Sequence, residues 1–174
     1  GEGGMIVTND EECSRRLRLL RSHGMTSLTW DRHKGHASSY DVVDQGYNYR
    51  IDEIRAALGM AQLRKLPSNN EQRRHLTQMY RDVLQELVPQ VTVPFAHHAG
   101  ISAAHLMPML LPAGSNKLSF MENMKAQSIQ TSFHYPPVHT FTAYQQGRNN
   151  TFLPITEAVA EREVTLPLYP TIRE

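Results

Sequence analysis

Between Asn69 and Leu87, apolar side chains recur every three or four residues: Leu76, Met79, Tyr80, Val83, Leu84 and Leu87. That spacing puts them on one face of an α-helix and leaves Arg73, Arg74, Arg81, Asp82 and Glu86 on the solvated side. A stripe of this width needs an apolar surface to lie on, and the sequence after Pro89 offers one. Val91 to Val93, His105 to Leu111 and Ile129 to Phe133 read as strands. A helix is expected over 115–127, with Leu118 and Met121 on its apolar side, and a last one over 156–163. It leads into Leu166-Pro167-Leu168-Tyr169-Pro170, which the prolines hold extended. The expected architecture is α/β with an α+β small domain, its helices packed on one side of a small, mainly antiparallel sheet.

The first third is organised differently. Met5 to Thr8 reads as a short buried strand, and Asn9 with Glu12 gives a capping-box-like start to a helix with Cys13, Leu17 and Leu20 inward and Gly24 as its stop. From Met25 to Gln45 no period is sustained. Trp30, His33, His36 and Tyr40 lie there among charged and small polar residues, which leaves a functional loop or a disordered one. The stretch Gly46-Tyr47-Asn48-Tyr49-Arg50-Ile51-Asp52-Glu53-Ile54-Arg55-Ala56-Ala57-Leu58-Gly59 then runs from a polar, aromatic loop into a helix of small apolar residues. Asp52 caps a helix expected over 52–66, with Ile54, Ala57, Leu58 and Ala61 buried and Pro67 as breaker. The positive end of its dipole falls near Asn48, Tyr49 and Arg50, an arrangement that suits a phosphate. The same segment also reads as a capped core helix behind a solvated loop.

A chain of 174 residues holds one ordinary domain, or a small domain with a remnant of another. With 18 basic and 17 acidic residues and a net charge of +1, it has no general attraction to nucleic acid or to an anionic membrane, so phosphate recognition has to be local. Cys13 is the single cysteine, which rules out an intrachain disulfide, reads as a small packing residue and favours a reducing, cytoplasmic setting. No apolar run is long enough to span a bilayer, and the first residues lack the blocks of a signal peptide. His134 and His139 flank Tyr135-Pro136-Pro137-Val138. Proline-rich spacing and the lack of an adjacent Cys or acidic residue speak against a metal. His97 and His98 read as exposed loop residues, and His23, His75 and His105 carry no signal of their own.

Four segments in order carry a resemblance that no single one would: Gly1-Glu2-Gly3-Gly4-Met5-Ile6-Val7-Thr8-Asn9-Asp10, Leu19-Leu20-Arg21-Ser22-His23-Gly24, the Gly46 to Gly59 stretch with Ala61-Gln62-Leu63, and His134-Tyr135-Pro136-Pro137-Val138-His139. Together they resemble the DegT/DnrJ/EryC1/StrS sugar aminotransferases, pyridoxal 5'-phosphate enzymes of the aspartate aminotransferase-like fold type I. The resemblance implies the C-terminal portion of such an enzyme: residues 1–66 as a remnant of the large cofactor domain with its connecting helix, and 67–174 as the small domain. The family's Schiff-base lysine would then lie upstream of Gly1, and no catalytic residue is expected in this chain.

The same resemblance assigns roles. Asn48 matches the position whose amide reaches the cofactor phosphate of the dimer partner, although a local turn role is the alternative. Arg50 either joins it at the phosphate or pairs with Asp52 or Glu53. His134, Tyr135 and His139 would sit at the mouth of the active site near the nucleotide sugar, or else be satisfied loop residues. Trp30, Arg32, His33 and Lys34 belong to a loop that contributes to the substrate cleft, where a cation neutralises pyrophosphate and Trp30 stacks. The implied activity of a cytoplasmic homodimer is amino transfer, with glutamate as donor, to a keto sugar on a nucleotide carrier. Alternatives are a sugar dehydratase of the same fold, with histidine in place of the lysine, and a non-catalytic association domain.

Overall fold

The computed structural model describes residues 3–26, 40–145 and 152–173. The chain divides into two compact units, Gly1–Arg64 and Lys65–Glu174.

In the second unit the centre is a two-stranded antiparallel ladder, β1 (Met107–Leu110) with β2 (Glu163–Leu166), in the register Met107 to Leu166 and Leu110 to Glu163. Single antiparallel bridges extend it on both sides, Thr92 to Leu110 and Ser132 to Thr165. The expected strands over 91–93 and 129–133 are therefore one bridge each rather than full ladders. Side chains alternate across a pleated ladder. Met107, Met109, Leu111, Val164 and Leu166 form the buried apolar cluster, while Glu163 and Thr165 take the alternate positions of β2 and are buried as well.

Helix α2 (Glu53–Leu87) brings Tyr80 and Leu84 to the apolar cluster, and α3 (Lys117–Ala126), capped by Asn116 through the Ser119 N–H, brings Phe120, Met121 and Met124. Met121 packs as the sequence suggests, but Leu118 is exposed; Phe120 and Met124 take the inner face instead. A 3-10 turn at Val138–Thr140 and the single-turn α4 (Thr142–Gln145) follow, then α5 (Pro154–Arg162), which runs straight into β2. Helices on a small, antiparallel sheet are the architecture expected.

The sequence places a break at Pro67, yet α2 is one helix with Pro67 inside it. Proline removes one backbone donor and crowds the carbonyl four residues back, at a cost of about 3 kcal/mol. The helix nevertheless continues on both sides of it, and next to the proline the Ser68 hydroxyl donates to the Lys65 carbonyl at 3.0 Å.

In the first unit, α1 (Glu11–Leu20) starts one residue later than the capping-box reading predicts: Asp10, not Asn9, is the cap and accepts the Cys13 N–H. Met5 to Val7 form no strand and lie exposed, because no described residue offers them a ladder. Cys13, Ile54, Ala57 and Leu58 are likewise exposed, while Leu17, Leu20 and Ala61 are half-buried, so the inward face expected of α1 is partly covered in this chain and that of the start of α2 is largely exposed. Gly24, with φ +68, ends the turn after α1 by donating its N–H to the Leu19 carbonyl at 2.8 Å. Among the described residues no helix is long and apolar enough to cross a membrane.

Candidate functional site

Two groups of sequence-predicted residues are built, one within each unit. In the first, the turn after α1 and the segment before α2 are stitched together by backbone bonds: Tyr47 N–H to Leu20 O at 2.6 Å, His23 N–H to Tyr47 O at 2.9 Å and Tyr49 N–H to Arg21 O at 2.9 Å. A bridge pairs Asn48 with buried Ser22, and the rings of Tyr47 and Tyr49 stack at 5.0 Å. On this frame the Asn48 Oδ1 accepts from Arg50 Nε at 3.0 Å, and an Arg50 terminal nitrogen lies 3.3 Å from His23 Nε2. Asn48 and His23 are among the partners of Arg50. Asp52 pairs with Arg55 at 3.1 Å and caps α2 through the Arg55 N–H at 2.8 Å.

The donor set fits a phosphate. With its oxygen spent on Arg50, Asn48 keeps both amide N–H donors for a ligand, beside a guanidinium and at the capped start of α2. His23, to which the sequence assigned no role, belongs to this group. Its signal was available only as proximity, since 27 residues separate it from Arg50.

In the second unit, His134 is held from two sides. Its backbone N–H donates to Glu163 Oε2 at 2.8 Å, its ring Nδ1 lies 2.8 Å from the Thr165 Oγ1, and that hydroxyl donates to Glu163 Oε1 at 2.6 Å. Tyr135 is exposed and meets the His134 ring edge-on at 4.8 Å. His139 is engaged separately, with Nε2 2.8 Å from Glu157 Oε1, an oxygen that also accepts the Leu153 N–H at 3.2 Å. The hydrogen bond from His139, then that from Leu153, holds the Glu157 carboxyl below its usual range. The two histidines thus have different partners. Among the described residues, no cluster of three or more His, Cys, Asp or Glu could hold a metal.

Glu157 and Glu163 were missed in the sequence because they fall in the segment read as the last helix, and Thr165 because it lies between that helix and the extended tail. Trp30, Arg32, His33 and Lys34, with His36, lie outside the described residues.

Comparison with known proteins places the chain in a family. The model of the DegT/DnrJ/EryC1/StrS aminotransferase family matches residues 1–174, and the chain belongs to that family. It is 33% identical over 181 residues to the spore coat polysaccharide biosynthesis protein SpsC of Bacillus subtilis, covering 100% of this chain and 46% of SpsC. Among solved structures it superposes on Helicobacter pylori PseC, an aminotransferase involved in the biosynthesis of pseudoaminic acid, with TM-score 0.81 and 28% identity over 95% of this chain and 43% of PseC. The putative sugar aminotransferase Spr1654 of Streptococcus pneumoniae, solved in its PLP form, gives TM-score 0.81 and 26% identity over 96% of this chain and 41% of that one. The chain thus spans less than half the length of these relatives, and its fold is the corresponding part of theirs.

Proposed function

We propose that the protein to which this chain contributes is a pyridoxal 5'-phosphate-dependent aminotransferase that moves an amino group, with glutamate as donor, to a keto sugar on a nucleotide carrier. Membership of the sugar aminotransferase family supports the reaction class. The observation that carries the reading to particular residues is the Asn48, Arg50 and His23 cluster fixed by the Ser22 bridge. When bound, the cofactor supplies the electron sink for amino transfer.

In this reading Asn48 and Arg50 hold the cofactor phosphate, with Asn48 reaching a site completed by a second subunit of a cytoplasmic homodimer. Residues 1–66 continue a larger cofactor domain contributed by other parts of the protein, and 67–174 form the small domain. His134 and Tyr135 border the nucleotide sugar. The Glu157 contact fastens the far end of the same segment at His139 and so sets where they stand. Trp30, Arg32, His33 and Lys34 serve the nucleotide end.

The test is Asn48→Ala in the full-length protein. Loss of one charge-assisted contact lowers cofactor affinity by about 1.5–3 kcal/mol with little change in the affinity for the sugar. Unchanged cofactor titration in a properly assembled mutant would refute the assignment of this residue.

A further inference from the structure

Glu163 is a buried acid, 7% exposed, held by a backbone N–H and a hydroxyl rather than by a cation. Its two oxygens accept from different donors: Oε2 from the His134 N–H and Oε1 from the Thr165 hydroxyl. A hydroxyl has one proton to give. Thr165 gives it to the carboxylate, so toward the His134 ring its oxygen is an acceptor. The ring nitrogen facing it at 2.8 Å, Nδ1, must then be the N–H. In a neutral imidazole the proton on one nitrogen leaves the other as an acceptor. Both Glu163 and Thr165 are on β2, and Thr165 is bridged to Ser132, two residues before His134. The chain of bonds is therefore built on the sheet rather than on a loose loop.

We propose that Glu163 and Thr165 are positioning residues that lock His134 in its Nδ1–H form and make its Nε2 a hydrogen-bond acceptor for a sugar hydroxyl. This rests on the reading that His134 borders the sugar. The locked form selects a ligand chemistry: a neutral Nε2 receives a hydroxyl proton and offers nothing to the oxygens of a pyrophosphate. The arrangement also predicts its own inversion. Glu163→Gln keeps a carbonyl oxygen for the His134 N–H but turns an NH2 group toward Thr165. The threonine hydroxyl is then driven to donate to Nδ1, and the ring proton moves to Nε2.

The test reads the ring proton directly. The 174-residue chain is labelled with 15N-histidine, His134 is assigned by its loss in His134→Gln, and long-range 1H–15N correlations are recorded at about pH 8, above the ordinary histidine range. The expected result is Nδ1–H in the wild type and in Thr165→Ser, Nε2–H in Glu163→Gln, and a mixture in Thr165→Val. Nε2–H in the wild type overturns the proposal, as does a tautomer that neither Glu163→Gln nor Thr165→Val changes. If Glu163→Gln fails to fold, the Thr165 pair decides alone.

A second arm, in the full-length protein, separates this inference from the functional reading beneath it. Loss of an acceptor worth one hydrogen bond lowers kcat/KM for the sugar about tenfold in Glu163→Gln and leaves the glutamate half-reaction unchanged. Inversion of the tautomer without any effect on the sugar upholds the positioning pair and overturns the placement of His134 at the sugar.

Discussion

The Tyr80 hydroxyl donates to the Pro167 carbonyl at 3.1 Å, joining the C-terminal part of α2 to the residue after β2 across 87 positions of sequence. The Tyr80 ring packs on the Met107 to Leu166 cluster, and burial pushes its phenol above the usual tyrosine range, with a smaller contribution from Tyr169. Tyr80→Phe keeps the ring and removes the donor, leaving the Pro167 carbonyl without it. The expected loss is about 1 kcal/mol, read as a lower urea midpoint with an unchanged slope; an unchanged midpoint would show that water replaces the phenol at no cost.

Gly46 and Gly59 of the first unit differ in whether a side chain can be added. A Cβ on Gly46 would come 2.6 Å from the His23 carbonyl carbon and 2.7 Å from the Leu20 oxygen, backbone atoms of the turn that supports Asn48. On Gly59, inside α2, it would meet nothing within 4 Å. Gly46→Ala is expected to destabilise by about 1–3 kcal/mol through overpacking, with lost amide protection at His23, Tyr47 and Tyr49. Gly59→Ala should stabilise α2 by roughly 0.5–1 kcal/mol. Equal behaviour of the two variants in thermal unfolding and hydrogen exchange would contradict this packing.

How far the sequence reveals all this depends on the range of the forces involved. The stripe at Leu76, Tyr80 and Leu84 is local and periodic, so a helix and the need for an apolar sheet could be read from it. Asp52 and its cap were equally legible. The breaker rule failed at Pro67 because it weighs one lost bond and not the length of helix on either side. β2 was invisible for another reason. Glu163-Val164-Thr165-Leu166 is short and half polar, and it becomes a central strand only because β1 and the segment at Ser132 pair with it. Its two polar residues are what hold His134, so the strand and the site contacts escaped together. Burial of Ile54 and Leu58 was inferred from their spacing, and spacing cannot say whether a covering surface lies in the same chain.

The far end of the His134 to His139 segment depends on a carboxylate, which makes it sensitive to acid. Glu157 is held below its ordinary value of 4.5, first by the His139 hydrogen bond and then by the Leu153 N–H. A carboxyl depressed in the folded state stabilises it at pH values above that ordinary value. The contribution is lost as pH falls through the folded value. Titration downward from about pH 6 should therefore release the His139 contact in the acid range, seen as increased exchange of the Leu153 and Thr140 amides. Glu157→Gln should remove this acid step while raising exchange at neutral pH. Superimposable acid profiles for the two proteins would exclude the clamp.

The apolar residues of the first unit lead to a prediction about assembly. Ile54 is 83% exposed and Leu58 53%, one turn apart on α2, and Met5 and Val7 are each 87% exposed. Burial of apolar surface contributes about 25 cal/mol per Å2, so a few hundred Å2 left in water amounts to several kcal/mol, comparable with the stability of a small domain. Single exposed apolar residues mean little, but a helix face with two large ones a turn apart is a surface that seeks cover. The 174-residue chain on its own should therefore self-associate, or show weak amide protection in α1 and in α2 before Arg64. Light scattering with hydrogen exchange reads both. The double variant Ile54→Glu, Leu58→Glu should shift any assembly toward monomer while leaving protection around Met107 and Val164 intact, because those residues belong to the other unit. Self-association undiminished in the double variant would place the contact elsewhere, and a strictly monomeric wild-type chain with strong protection throughout both helices would show that this face is stable in water without a partner.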